Sequence, residues 1–244
     1  MGRVRQNNED SMAVLPDLKL FVISDGMGGE AHGEVASAIT VETIGARCRE
    51  MACGSAAPPD ENRMQGFSAI TNQLGSAVHL ANRKVFESAQ NNPTQRGMGA
   101  TLVAALVNGR DVSFVNVGDS RAYLFRAGNL EQLTEDHTLV AEQVRRGLIT
   151  AEQASRSRVQ NVLVRALGVR EEVEPDLYEE ELLPDDVVLL CTDGLTRMAP
   201  DDVLAEVLRD VQDMQAAADR LVALALERGG EDNVTVILVR VLPR

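Results

Sequence analysis

Four short segments set an aspartate at the edge of an apolar run. Asp25-Gly26 follows residues 21–23, Gly118-Asp119 follows 112–117, Asp193-Gly194 follows 187–191, and Glu231-Asp232-Asn233 precedes 234–239. Apolar runs of this length read as buried strands, and glycine beside them permits tight turns. Carboxylates gathered at strand ends are oxygen donors of the kind that hard cations such as Mg²⁺ and Mn²⁺ select. Two such ions can share one bridging carboxylate and activate a water between them, the machinery of phosphate-ester hydrolysis. Any one Asp-Gly pair alone reads as a turn. Four together point to a metal site with Asp25 at its centre.

A second group lies near the start of the chain, in Arg5-Gln6-Asn7-Asn8-Glu9-Asp10. A guanidinium binds a phosphate dianion through two parallel hydrogen bonds, so Arg5 is a candidate phosphate clamp. Glu9 and Asp10 are candidates for orienting waters around bound ions. Read without the other segments, this stretch is a solvated polar terminus.

The elements that must position these groups follow from periodicity. Residues 12–15 and 18–24 read as a hairpin about Pro16-Asp17, and residues 34–51 as a helix. Residues 52–60, with Gly54, Pro58 and Pro59, read as a loop. Residues 68–90 carry Ile70, Leu74, Ala77, Val78, Ala81 and Val85 on one helical face. Strands are expected at 101–107, 112–117, 121–125 and 130–133, as a run of antiparallel hairpins with a tight turn at Asn108-Gly109. Residues 136–168 are polar, carry Arg145, Arg146, Arg156, Arg158 and Arg165, and read as an excursion or lid. Further strands are expected at 177–182, 187–191 and 234–239, and helices at 201–208 and 211–227. Hairpin groups separated by helix pairs imply antiparallel sheets covered by helices rather than a doubly wound fold, within one domain spanning 1–244.

Composition narrows the function. The 244 residues are 44% hydrophobic, which suits a globular core, and carry a net charge of -13. That charge argues against a nucleic-acid binder, including a two-metal nuclease. Cys48, Cys53 and Cys191 have neither the number nor the spacing of a disulfide framework or zinc site, and reduced thiols suit the cytoplasm. No signal peptide and no membrane insertion are expected. No apolar surface stripe is left over, so a monomer is expected.

The segments Arg5-x-x-x-Glu9-Asp10, Asp25-Gly26-Met27-Gly28-Gly29, Gly118-Asp119-Ser120-Arg121, Asp193-Gly194 and Glu231-Asp232-Asn233 together resemble, in order and spacing, the metal-dependent Ser/Thr protein phosphatases of type 2C (PPM), in particular the bare bacterial catalytic domain. The resemblance runs from Arg5 to the last strand. It implies an α+β fold, a four-layer αββα sandwich of two antiparallel β-sheets flanked by helix pairs. It implies two core Mn²⁺ or Mg²⁺ ions bridged by Asp25, with the Gly26 carbonyl on one and Asp193 and Asp232 on the other, and a third ion on Asp119 and Asp193. It makes Arg5 the phosphate holder, has Glu9 contact metal-bound water, has Asn233 support the site, and makes 136–168 a flap. The implied reaction is attack of a bridging hydroxide on phosphoserine or phosphothreonine in proteins, opposing a Ser/Thr protein kinase. Three departures stand out. Met27 replaces the histidine that eukaryotic members carry, Glu30 stands where many bacterial members have histidine, and the flap lacks a His-Pro and an Arg before Asn161-Val162-Leu163. His32 is the nearest substitute acid; His79 and His137 read as a helix-surface and a flap residue. The alternative is a catalytically weak relative that binds phosphoproteins as a regulator. Such a protein is expected to have lost ligands, and every matched acid is present.

Overall fold

The computed structural model describes residues 1–28, 32–54 and 64–243. Two antiparallel sheets carry the chain. The first holds six strands: β1 (Asp10–Leu15), β2 (Leu20–Met27), β4 (Leu102–Asn108), β5 (Asp111–Val117) and β8 (Asp176–Glu181) in that order, with short β3 (Gly99–Ala100) paired to the end of β2. The second holds four, in the order β10 (Val236–Arg240), β9 (Val187–Cys191), β6 (Arg121–Arg126) and β7 (Asn129–Gln132). Helices α1 (Gly33–Ala52) and α2 (Ala69–Asn91) cover the first sheet, and α6 (Asp201–Asp210) and α7 (Met214–Glu227) the second. The expected α+β sandwich of two sheets with flanking helix pairs is what the chain adopts.

Alternation sends each strand residue to its layer. In β2, Leu20 and Val22 pack toward α1 and α2, while Phe21 and Ile23 enter the space between the sheets. In β9, Val187, Leu189 and Cys191 pack toward α6 and α7, while Val188 and Leu190 face the first sheet. These strands are apolar on both faces because both faces are buried. Cys191 is thus a small core residue, as its setting in the sequence implies.

The strand topology departs from the expected run of hairpins. β4 and β5 do form one, with Gly109 at φ +68 in a turn through Gly109-Arg110. Glycine therefore takes the first central position rather than the second it holds in an Asn-Gly turn, and the turn lies one residue further along the chain. β5 and β6, however, do not pair: β5 belongs to the first sheet and β6 to the second. The chain crosses between sheets at Gly118-Asp119-Ser120, with Gly118 at φ +107 and its hydrogen facing Thr101, where an added Cβ would lie 2.7 Å from the Thr101 side chain. Gly118→Ala is therefore expected to destabilise the fold by about 3 kcal/mol through backbone strain and steric conflict, read as a lowered urea midpoint. A second correction falls in residues 211–227, where one helix was expected. Val211 instead caps α6, and Asp213 begins α7 by accepting the Ala216 N–H at 2.8 Å. A side-chain cap that satisfies a free amide outweighs continuation of the apolar periodicity. The excursion holds two short helices, α3 (Leu139–Arg145) and α4 (Ala151–Ser155), and its two ends meet in a bridge between Thr138 and Leu163.

Candidate active site

Asp25 shares the face of β2 that Phe21 and Ile23 occupy, so its carboxylate enters the mouth of the inter-sheet space. The strand register sets Asp10 of β1 directly opposite. The sequence places Asp10 in a polar lead-in; the structure begins β1 with it. One Asp10 oxygen, Oδ2, accepts from Thr192 Oγ1 at 3.1 Å and Thr235 Oγ1 at 2.6 Å, tying the edge of the first sheet to the second. Asp193 opens the short helix α5 (Asp193–Thr196) directly after β9, and Asp232 lies in the loop before β10. Because β9 and β10 are antiparallel, the end of one adjoins the start of the other. An added Cβ at Gly194 would come within 1.9 Å of the Asn233 carbonyl oxygen, and one at Gly26 within 2.0 Å of the Gly33 carbonyl oxygen. The backbones that carry the acids approach this closely because those positions are glycine.

The remaining residues expected at the site also converge there. Arg5 Nη2 donates to Asp232 Oδ2 at 2.9 Å, so the guanidinium rests on an acid. Asn233 accepts the Glu9 N–H at 2.8 Å and donates to the Asn7 carbonyl at 3.0 Å, stitching the N-terminal segment to the Asp232 loop. The Glu9 carbonyl accepts from Gly26 N–H at 3.0 Å. His32 sits at the N-cap of α1, where its ring makes no capping hydrogen bond. Gly29 and Glu30 lie outside the described residues, as do Pro58 and Pro59.

The electrostatics of the site are those of crowded anions. Burial, reinforced by Asp10, Asp193, Asp119 and Asp232, pushes the Asp25 carboxyl well above its ordinary value. Burial likewise lifts Asp10 to about 6, against the opposing hydrogen bonds from Thr235 and Thr192. Asp119 rises to about 8 through burial and the nearby Asp193 and Asp136. One oxygen each of Asp10 and Asp193 is buried without a hydrogen-bond partner. Such oxygens are expensive to leave unpaired, and a divalent cation or its water satisfies them. Among the described residues, no three acid, histidine or cysteine side chains stand close enough to cage an ion unaided. Mg²⁺ usually takes one or two carboxylates and keeps several waters, so an all-oxygen, half-open acid cluster fits it. Beside the acids, under the excursion, lies a cavity of about 750 Å³ whose lining includes Asp119, Asp193, Val140, Val144 and Ser155.

Three supports carry no sequence signal, two of them buried and the third, Arg197, half-buried. Thr101 Oγ1 accepts the Asp25 N–H at 2.9 Å and bonds the Ser120 hydroxyl at 2.7 Å, coupling the segments of Asp25 and Asp119. His137, read as a flap residue, is 1% exposed. Its Nδ1 accepts the Gly118 N–H at 3.0 Å, which leaves the ring proton on Nε2 to donate to Asp176 Oδ2 at 3.1 Å. The imidazole thereby pins the first turn of the excursion to the crossover that carries Asp119. His137→Ala is expected to lower unfolding free energy by about 2 kcal/mol, through an orphaned Gly118 amide and one lost hydrogen bond to Asp176, in urea titrations with EDTA present. The third support is Arg197, beside Asp193 and Asp232. Of the excursion's arginines, Arg145, Arg146, Arg156 and Arg165 are all engaged with acids in ion pairs.

Comparison with known proteins settles the family. Residues 1–234 match the family Protein phosphatase 2C. The chain belongs to the protein phosphatase 2C family. Membership makes it a protein-serine/threonine phosphatase by class. The serine/threonine phosphatase stp of Listeria monocytogenes is 37% identical over 241 residues, covering 98% of this chain and 92% of the relative. The crystal structure of serine/threonine phosphatase Stp1 from Staphylococcus aureus superposes with a TM-score of 0.87 at 34% identity, over 99% of this chain and 92% of that one. The catalytic domain of the phosphatase PstP, solved in complex with two manganese ions, superposes with a TM-score of 0.83 at 37% identity, over 99% and 95% of the two chains. The 2C sandwich thus accounts for the two sheets, and the acid cluster lies at one end of it.

Proposed function

We propose that this chain hydrolyses phosphoserine and phosphothreonine in proteins with two core Mn²⁺ or Mg²⁺ ions. Asp25, the Gly26 carbonyl, Asp193 and Asp232 hold them, and Asp119 with Asp193 holds a third. The observation that carries this reading is the convergence of Asp25, Asp193 and Asp232, from three separate elements, on one half-buried and mutually repelling cluster with an unpaired Asp193 oxygen. Bound there, the ions supply a water activated between them and positive charge at the phosphoryl group. Asp10 fixes the distance between the two sheets through Thr192 and Thr235, and so the placement of Asp25 against Asp193. Glu9, half-buried beside Gly33 and Arg5, orients water at the rim. Arg5 leaves Asp232 to hold the non-bridging phosphate oxygens. Met27 carries no transferable proton, so the leaving oxygen takes its proton from water or a nearby acid.

The excursion at 136–168 acts as a flap over the cavity, and the whole chain works as one catalytic domain. A Ser/Thr protein kinase supplies the phosphorylated partners, and the enzyme acts in signalling in a bacterial cytoplasm as a monomer. Among the described residues no helix is long and apolar enough to cross a membrane. The test is phosphate release from a phosphothreonine peptide with Mn²⁺, Mg²⁺ or EDTA. Turnover with either ion and none with EDTA is expected; turnover in EDTA would overturn the reading. A phosphopeptide-binding regulator would instead bind the peptide without turnover.

A further inference from the structure

Arg197 stands four residues beyond Asp193, immediately after α5. Its Nη1 lies 3.5 Å from Asp193 Oδ2 and 3.7 Å from Asp232 Oδ2, and its Nη2 3.8 Å from Glu231 Oε2. All three separations exceed the roughly 2.7–2.9 Å of a formed charge-assisted hydrogen bond. Its Nε is buried and has no hydrogen-bond partner. An ordinary helical ion pair spends its donors on one acid; this guanidinium instead sits among three acids and bonds none tightly. It also lines the 750 Å³ cavity, which leaves it room to move. The acceptor it shares with Arg5 is one oxygen, Asp232 Oδ2, so two positive groups already press on a carboxylate proposed to bind metal.

We infer that Arg197 is a resident counter-ion of the metal-free centre. It is a positioning residue whose charge holds Asp193 and Asp232 together until a divalent cation takes them and displaces it. The inference rests on the proposed metal role of those two acids. By linkage, a charge that stabilises the empty cluster and is opposed by the bound ion must weaken ion binding. Arg197 therefore sets the divalent concentration at which the enzyme loads, and keeps the unloaded acids from driving the sheets apart. Glu231, which reaches Arg197 but is not among the expected ligands, gives the displaced guanidinium a second partner.

The experiment uses the full chain, stripped with EDTA and dialysed at pH 8, where protons compete least with the metal. Mn²⁺ affinity is measured by calorimetry and melting temperature with and without Mn²⁺. Arg197→Gln is expected to bind Mn²⁺ about fivefold more tightly, the equivalent of about 1 kcal/mol. It should also melt lower than wild type in EDTA and gain more on loading. Arg197→Lys, which retains the charge, should stay near wild type. Arg209→Gln, which removes a charge bonded to the Gly128 carbonyl, should do the same. If Arg197→Gln does not fold, Arg197→Met removes the charge while keeping the apolar stem and should show the same tightening. Unchanged or weaker Mn²⁺ affinity in the folded, uncharged variant overturns the inference. Equal tightening in Arg209→Gln also overturns it, as a general charge effect. Failure of the wild-type chain to bind Mn²⁺ overturns the metal reading beneath it instead.

Discussion

Replacing Asp193 by Asn will remove metal-dependent phosphatase activity, lowering kcat/KM on a phosphothreonine peptide on the order of 10³-fold. The substitution is nearly isosteric, so the fold has little reason to change. It removes the negative charge of a carboxylate that has one oxygen buried and unpartnered. It also removes a source of repulsion on Asp25 and Asp119. The prediction therefore has two parts that separate function from stability. Activity collapses with Mn²⁺ present, while the melting temperature of the EDTA-treated protein holds or rises. A variant that loses activity because it unfolds would melt lower. Retained turnover at wild-type Mn²⁺ concentrations would remove Asp193 from the chemistry.

The metal-free protein is expected to lose stability as pH rises from about 4 to 8, and bound Mn²⁺ is expected to flatten that trend. The sign follows from proton counting. Asp10 at about 6 and Asp119 at about 8 bind protons more tightly in the folded chain than in the unfolded one. Above the ordinary carboxylate value the unfolded chain has released those protons while the folded chain still holds them. Unfolding then releases protons, and stability falls with pH until the folded groups have titrated. Asp10 alone contributes on the order of 3 kcal/mol across that window. Urea titrations in EDTA at pH 5 and pH 8 measure the difference. A metal-free protein more stable at pH 8 would show that these carboxylates are not strained by burial and repulsion. With Mn²⁺ bound, the same carboxylates are held ionised and their protons no longer enter the balance.

Much of the site was legible because its residues lie in short local patterns. An acid, a glycine and an adjoining apolar run can all be read within a few positions, as at Asp25, Asp119, Asp193 and Asp232. Arg5 and Asn233 were singled out from the same kind of pattern; in the structure Arg5 rests on Asp232, and Asn233 bonds Glu9 and Asn7. Thr101, Thr192 and Thr235 were not legible. Each is one hydroxyl in or beside an apolar strand, indistinguishable in sequence from a β-branched filler residue. Their hydroxyls matter because of partners 19 to 225 positions away, Ser120 and Asp10 among them. His137 lies in the excursion, as read, but its burial was not legible: a histidine in a polar stretch carries no mark of burial.

Runs such as 20–23, 102–107 and 187–191 are apolar at consecutive positions, so the amino-acid order alone requires strands covered on both faces; that two sheets provide the cover was implied by the resemblance of the motifs to the family. The sequence by itself also determined which carboxylates stand at strand ends. Only the tertiary structure decided the crossover between β5 and β6, since apolar runs flanking a glycine look alike whether they pair or part. It alone set Asp10 opposite Asp25 and placed Arg197 between Asp193 and Asp232. Those outcomes depend on long-range register and on electrostatic repulsion among groups distant in the chain, and neither leaves a local pattern to read.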